Sequence, residues 1–175
     1  MEIIQYPHNI LSKKCEEVVI GDKECTQLLD EMLITLHRVR GAGLAAPQIG
    51  VSKRIVVIDL QEEPPKIYKM INPEFTWKSN VLVESTEGCL SIPFLRDTVL
   101  RHESVSVEYL DENFQKCTIE KATDYLSFCL QHELDHLDGK VYLDRLNKIK
   151  RASALRKYKK LLKENAENGE KNASE

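Results

Sequence analysis

The segment from Thr123 to Gly139, T-D-Y-L-S-F-C-L-Q-H-E-L-D-H-L-D-G, constrains this chain more than any other. Its residues predict one helix. Thr123 is suited to accept a hydrogen bond from a free N–H of the first turn, and Asp124 suits the positive end of a helix. Gly139 stands where a helix commonly ends in a left-handed residue. We therefore expect this helix to be the central element of the fold.

Inside the predicted helix lies His132-Glu133-Leu134-Asp135-His136, an H-E-x-x-H motif. Residues four positions apart lie on one face of a helix, so His132 and His136 can direct two imidazoles at one metal ion. Glu133 is offset by one position and would reach the edge of the site, where a general base belongs. The alternative interpretation is a pair of solvent-exposed histidines on the helix surface, without a metal.

A metal held by two histidines needs a third protein ligand, and two cysteines compete for this position. Cys129 lies on the same helix, and the angular spacing of helix positions does not exclude it. Cys89 follows Gly88 at a predicted strand end, where the backbone is free to approach the helix. We favour Cys89, with Cys129 packed under the site. A Cys/His/His set leaves a fourth position for water, as in catalytic metal sites.

The length and composition predict a single soluble catalytic domain over residues 1–163. The chain has 175 residues, 42% apolar and 30% charged, and its net charge of −3 argues against general nucleic-acid binding. The N-terminal segment lacks the order of a secretory signal, and no apolar run approaches the roughly 18 residues of a membrane span. The odd number of five cysteines indicates reduced thiols in a cytoplasmic protein. We expect no membrane association and no obligatory protein partner.

The C-terminal part of the chain is strongly basic. Residues 144–163 carry nine Lys and Arg against one acidic residue and have helical periodicity. One interpretation is the solvated face of an ordinary C-terminal helix, and the other is docking to phosphate-rich nucleic acid, as in a ribosome. Residues 164–175 have too few apolar side chains to be buried, and we expect a disordered tail there.

The remaining segments predict an α+β fold, with mixed, largely antiparallel strands around the central helix and the C-terminal helix outside. Asp22 can cap an amphipathic helix, and a strand follows the small-residue turn 41–50. This turn contains G-A-G-L-A-A, but a helix precedes it and a strand follows, which is the wrong context for a dinucleotide-binding loop. Pro73 favours an edge position or a strand end for the segment 67–75.

Three stretches of the chain resemble the motifs of the peptide deformylase family: G-A-G-L-A-A-P-Q at 41–48, E-G-C-L-S at 87–91 and Q-H-E-L-D-H at 131–136. They occur in the family's order and spacing, and the resemblance extends over most of residues 1–150. It implies a bacterial or organellar hydrolase that removes the formyl group from the initiator methionine of nascent polypeptides and releases formate. It also implies one divalent metal ion, Fe²⁺, with Ni²⁺ or Co²⁺ as effective substitutes and Zn²⁺ as a poor one.

The resemblance also implies roles for individual residues. The implied metal ligands are Cys89, His132 and His136. The implied catalytic groups are the Glu133 carboxylate as acid/base, and the Gln48 side chain and Leu90 backbone N–H as donors to the formyl oxygen.

The substrate, an N-formylmethionyl peptide, would lie beside the backbone of Ala42, Gly43 and Gly88. The family usually has a larger aliphatic residue at position 42, so Ala42 should widen this side of the cleft. Three residues on or beside the histidine face of the helix are suited to wall a methionine pocket, although they would serve equally well as ordinary core: Tyr125, Phe128 and Cys129.

Two alternative functions are compatible with parts of the sequence. A zinc endopeptidase shares the H-E-x-x-H motif, but that class usually takes a third His or Glu ligand downstream, and no His follows His136. A ribosome- or RNA-binding protein would use the basic helix and carry a vestigial metal site. The presence of Cys89, Glu133 and Gln48 argues against a vestigial site, and docking on a ribosome is compatible with an active enzyme.

Overall fold

The computed structural model of this protein describes the backbone of residues 1–172 and the side chains of residues 1–166. Its helices are α1 (Lys23–Arg38), α2 (Asp124–Leu137) and α3 (Lys148–Asn172). Its strands are β1 (Gly43–Ala45), β2 (Ile55–Asp59), β3 (Ile67–Lys78), β4 (Leu82–Cys89), β5 (Ile92–His102), β6 (Val105–Leu110) and β7 (Lys116–Ala122). None of the helices within this part of the chain combines the length and apolar character needed to cross a bilayer.

The strands form two antiparallel groups that enclose α2. One sheet has the order β1-β2-β3-β6-β7, and β4 and β5 form a separate two-stranded sheet. Each pair of neighbouring strands is antiparallel. The prediction of an α+β fold with largely antiparallel strands around a central helix is therefore confirmed.

The central helix is buried along most of its length because its apolar side chains pack against the larger sheet. Leu130, Leu134 and Leu137 share one hydrophobic cluster with Val56 and Ile58 of β2. The polar side chains of the metal motif lie in this same buried half of α2. The helix thus holds them inside the protein, where their geometry is fixed by packing.

The sequence predicted the C-terminal end of α2 correctly and the capping of its N-terminal end incorrectly. Gly139 has φ +70°, the left-handed conformation expected after a helix C-terminus. Thr123, in contrast, does not cap the first turn, because its hydroxyl donates to the Asp124 carboxylate at 2.9 Å. Asp124 itself has φ +51°, so the chain enters the helix through a left-handed residue.

Pro73 does not end a strand or mark an edge, contrary to the sequence prediction. β3 continues to Lys78 and pairs with β2 on one side and β6 on the other. The register against β6 shifts between Ile71 and Glu74, so Pro73 falls within a β-bulge. A bulge interrupts the ladder of backbone hydrogen bonds, and a residue without an N–H is tolerated there.

The basic C-terminal helix differs from its predicted boundaries at both ends. A 3₁₀ turn, Tyr142–Arg145, precedes α3, which begins at Lys148 and continues to Asn172. Positions 164–172 belong to α3, and positions 173–175 lie outside the described residues, so the disordered tail stays a prediction. A helix can extend into solvent when its residues have high helix propensity and its side chains form local contacts. One such contact is the hydrogen bond from the Asn165 amide to the Leu161 carbonyl, at 2.8 Å.

Gly139 is expected to be the less replaceable of two left-handed glycines. An added Cβ would lie 2.8 Å from the carbonyl carbons of Ser12 and Lys13, whereas at Gly21 (φ +88°) it would meet no atom within 4 Å. Gly21→Ala should cost about 1–2 kcal/mol through backbone conformation alone. Gly139→Ala should cost roughly 1–3 kcal/mol more, through the clash. Urea unfolding of both variants measures this, and equal losses would contradict it.

Candidate metal centre

Two elements that are distant in sequence converge at the candidate metal centre. β4 ends at Cys89, and α2 presents His132 and His136 one turn apart. One potential ligand atom from each of the three residues lies within 4.8 Å of the other two. The Cys89 Sγ is 3.3 Å from the His136 Nε2. All three side chains are buried, His136 completely.

This donor set fits a single divalent metal ion. Sulfur and imidazole ligands around a tetrahedral ion lie about 3.5 Å apart, which agrees with the spacing of the Cys89 and His136 donor atoms. Cys129, the competing cysteine of the sequence prediction, is not part of the cluster. Its thiol is buried, and burial raises its pKa well above the ordinary value, which is unfavourable for a thiolate ligand.

A buried chain of charged groups holds His132 in position. The His132 Nδ1 lies 2.8 Å from Glu87 Oε2, so an Nδ1–H donated there leaves Nε2 free to bind a metal. Arg101 donates to both oxygens of Glu87, at 2.7 and 2.8 Å. Its third nitrogen donates to Asp135 at 2.6 Å, and Arg145 donates to the same carboxylate at 2.9 Å.

The electrostatics of this cluster favour a thiolate at Cys89. Burial would raise the pKa of the Cys89 thiol, but the His136 and His132 rings outweigh burial and lower the pKa to about 5. Burial likewise opposes ionisation of Glu87, but the hydrogen bonds from Arg101 and His132 lower its pKa to about 2. Both groups therefore carry negative charge at neutral pH, as a metal ligand and its supporting carboxylate must.

Glu133 occupies a confined position beside the metal ligands. An added Cβ on Gly43 would lie 2.8 Å from the Glu133 carboxyl carbon, so β1 approaches this carboxylate closely. Its Oε2 is buried and has no hydrogen-bond partner among the described side chains and backbone. Burial raises the pKa of Glu133 to about 7, against the opposing effect of the two histidines. A buried, unpartnered carboxylate with a pKa near neutrality is suited to exchange protons.

Gln48 is oriented by backbone and side-chain contacts. Its Oε1 accepts a hydrogen bond from the Ala45 N–H at 2.9 Å. Its amide nitrogen therefore faces the other way, 3.5 Å from the Cys89 Sγ and 3.3 Å from the Ser91 hydroxyl. The residue is only 1% exposed, so this donor is held at the metal centre by the surrounding structure.

The centre lies at a cavity of about 680 Å³. The structure brings all but one of the residues predicted from the sequence to its walls, namely Ala42, Gly43, Gln48, Gly88, Cys89, Leu90, Tyr125, Phe128, Cys129, His132 and Glu133. The exception is His136, which is fully buried behind the wall. The roles of these residues stay predictions.

Sequence reasoning missed several groups that shape the site. Ser91 faces the Gln48 amide, and Asp135 with Arg145 extends the charged chain behind His132. Arg40 and Arg96 line the cavity. Asp135 lies inside the H-E-x-x-H motif and was a visible candidate, but a contact between residues so far apart as Arg101 and Asp135 has no local sequence signal.

Three protein ligands leave a bound ion at least one position for water or substrate, and Glu133 lines the same cavity as two of these ligands. On an α+β fold with an open cavity, this arrangement defines a metal-dependent hydrolase.

The chain belongs to the polypeptide deformylase family, whose sequence model it matches over residues 1–152. It is 41% identical to the peptide deformylase of Rickettsia akari over 92% of this chain and 95% of that protein. The structure is similar to peptide deformylase from Ehrlichia chaffeensis, with a TM-score of 0.87, 40% identity and coverage of 95% and 98% of the two chains. A second structure of that enzyme, in complex with actinonin, has a TM-score of 0.85 and 42% identity over 91% of this chain and 96% of its own.

The enzyme is thus a metal-dependent hydrolase that removes the N-formyl group from nascent polypeptides. The two alternative functions, a zinc endopeptidase and an RNA-binding protein with a vestigial site, receive no support from these similarities.

Replacing Cys89 and Cys129 in turn should identify the sulfur ligand. Cys89→Ser removes the thiolate of the three-residue cluster and should reduce the bound metal to well below one ion per chain. Cys129→Ser is the matched control because its thiol is equally buried, lines the same cavity and lies outside the cluster. Metal analysis of both purified variants measures this. Loss of metal in the Cys129 variant alone would reverse the assignment.

Proposed function

We propose that this chain hydrolyses N-formylmethionyl peptides at a centre formed by Cys89, His132 and His136, with Glu133 as the acid/base. The observation that carries the proposal is the convergence of the strand-end sulfur with two imidazoles, beside a buried carboxylate whose Oε2 has no hydrogen-bond partner among the described residues. Family membership supports the same reaction.

We infer that the resident ion is Fe²⁺, held by Cys89, His132 and His136, and that Ni²⁺, Co²⁺ or Zn²⁺ can replace it. When bound, the ion supplies Lewis-acid chemistry that polarises the formyl carbonyl and activates a water molecule. The thiolate supports this choice because a soft sulfur donor in a mixed nitrogen and sulfur set suits iron and related ions.

Glu133 moves the proton in this proposal. Its carboxylate accepts a proton from the attacking water, while a new C–O bond forms at the formyl carbon. It then donates that proton to the departing amine as the C–N bond breaks, which leaves formate and a free methionine amino group. A pKa of about 7 suits both steps, since the group gains and loses a proton readily near neutrality.

Two donors stabilise the negative charge that grows on the formyl oxygen. One is the Gln48 amide, whose orientation is fixed by the Ala45 N–H. The other is the Leu90 backbone N–H, in the two-residue turn between β4 and β5. Removing one such donor from a comparable site typically lowers kcat about a hundred- to a thousandfold.

The methionine side chain enters the part of the cavity walled by Tyr125, Phe128 and Cys129, and the peptide backbone lies beside Ala42, Gly43 and Gly88. Cys129 is 7% exposed, while Tyr125 is 60% exposed and stands at the rim. The small side chain of Ala42 leaves room on this side of the cleft for a larger side chain of the substrate.

Glu133→Ala should separate catalysis from metal binding. The parent and the variant, both purified without oxygen, should hold equal amounts of iron, because Glu133 is not a ligand. Only the parent should release formate from a formyl-Met peptide, and the variant should lose at least a hundredfold in kcat. Retained turnover in the variant would remove Glu133 from its role, and absence of iron in the parent would refute the assigned metal.

We also propose that residues 1–163 act as one catalytic domain in the cytoplasm and that α3 docks it on the ribosome. α3 is held to the body by the buried side chains of Ala154 and Tyr158, and the Tyr158 hydroxyl donates to the Tyr6 carbonyl at 3.5 Å. Its outward face is basic, and a phosphate-rich surface would attract it. Docking there would bring the metal centre near emerging formylmethionine.

Reversing charge on the outward face of α3 tests this docking. Lys150, Lys157 and Lys159 are exposed, and none is ion-paired with a described carboxylate. Replacing all three with Glu should abolish salt-sensitive cosedimentation with ribosomes. The control replaces three exposed lysines elsewhere: Lys13, Lys14 and Lys23. Formate release from a free peptide serves as the folding control, and equal cosedimentation of the two triple variants would contradict docking through α3.

A further inference from the structure

Two free strand edges border the cavity of the metal centre. Within the described chain, β1 pairs only with β2, and β4 pairs only with β5. Gly43 on β1 and Gly88 on β4 both line the cavity. An extended chain lying between them could form backbone hydrogen bonds with both edges, as peptides do when they add to a sheet. If the proposed function holds, the residues that follow the formylmethionine would run between these two edges.

An arginine lies close to each of these two edges, Arg40 just before β1 and Arg96 on β5. Arg40 directly precedes the segment Gly41–Gly43, and Arg96 is the cross-strand partner of Gly88. The stem of Arg96 lies over this glycine, because a Cβ added to Gly88 would be 3.3 Å from the Arg96 Cγ. Both arginines are exposed and line the cavity. Two arginines thus line the cavity close to the two free strand edges.

Neither guanidinium has a carboxylate partner in the described part of the chain. This distinguishes them from the arginines that form ion pairs with Asp or Glu, which are Arg54, Arg101, Arg145 and Arg151. Arg40 and Arg96 are therefore free to pair with a group that the protein does not supply.

The carboxylates along the cavity do not cancel this positive charge. Glu87 is paired with Arg101 and His132, and Glu133 is buried at the metal end. Glu84 is exposed, but it precedes Gly88 by four residues on β4, a separation of about 13 Å along an extended strand. This exceeds the Debye length of about 8 Å at physiological ionic strength, so Glu84 acts weakly at the Gly88 end.

We propose that Arg40 and Arg96 form a positive subsite that selects N-formylmethionyl peptides with an acidic side chain at the second or third position. The inference rests on the proposed function, since it concerns the same cleft and the same substrate. Ala42 lines the cavity beside Arg40 and is small, so its side chain obstructs little of the cleft there. The subsite acts on binding and contacts none of the reacting atoms.

A peptide series measures the selection directly. The peptides are formyl-Met-Glu-Ala, formyl-Met-Ala-Glu and their Gln and Lys counterparts. All are amidated at the C-terminus, so no terminal carboxylate contributes to binding. At physiological ionic strength, kcat/KM should be highest for Glu in at least one of the two positions, about two- to fivefold above Gln, with Lys lowest. The difference should appear in KM and should shrink at 0.5 M salt through screening.

Variants of the two arginines assign the effect to the subsite. Arg40→Gln and Arg96→Gln should each lower the Glu-to-Gln ratio, and the double variant should bring it close to one. Arg38→Gln is the matched control, because Arg38 lies at the same end of α1, is exposed, bonds to the Met1 carbonyl and does not line the cavity. The readout for each variant is the ratio of its kcat/KM values for the Glu and Gln peptides. A lower fraction of folded enzyme reduces both values equally and leaves this ratio unchanged.

The outcomes are distinguishable. Equal kcat/KM for the Glu and Gln peptides with the parent enzyme would overturn the subsite and leave the proposed function intact. A preference that survives in the double variant would overturn the assignment to these arginines. Failure to release formate from every peptide, with iron bound, would overturn the proposed function and the subsite together.

Discussion

The hydrogen bond between His132 on α2 and Glu87 on β4 connects the two halves of the metal centre. β4 is not part of the five-stranded sheet that packs against α2, so the sulfur of Cys89 and the two imidazoles belong to elements that could shift against each other. Glu87 is two residues before Cys89, and its carboxylate is fixed by both Arg101 and His132. The same contact therefore sets the orientation of one imidazole and the position of the thiolate.

The buried network of charged side chains behind this contact has a high desolvation free energy. It positions His132 more than it stabilises the fold. Arg101 is 2% exposed, and its guanidinium is offset by two carboxylates, from Glu87 and Asp135. Buried pairs of this kind often return no more free energy than their desolvation costs. Arg145 adds a second positive group at Asp135. Each charged side chain in this network has a partner of opposite charge, which restricts its motion. The network therefore holds the His132 ring in a fixed orientation.

The sequence allowed prediction of features that depend on residues close together in the chain, such as helix spacing and strand patterning. The spacing of His132 and His136 followed from helix geometry, and the antiparallel α+β class followed from strand patterning. The choice of Cys89 over Cys129 rested on the freedom of the backbone at a strand end to approach the helix. The failures involve competing contacts: Thr123 bonds to Asp124, and Pro73 falls in a bulge set by strand register. Contacts such as Arg101 with Asp135, 34 residues apart, have no local pattern to reveal them.

The small residues at 41–48 are explained by the closeness of β1 to α2. A dinucleotide-binding loop would use its glycines to admit a phosphate, but here the atom that approaches Gly43 is the carboxyl group of Glu133. The side chain of any other residue at position 43 would collide with the Glu133 carboxylate and displace it. Three residues later the chain turns so that the Ala45 N–H orients Gln48 toward Cys89. The missing side chain at Gly43 makes room for the Glu133 carboxylate, and the Gln48 amide five positions later is held beside Cys89, so one short segment shapes two sides of the candidate site.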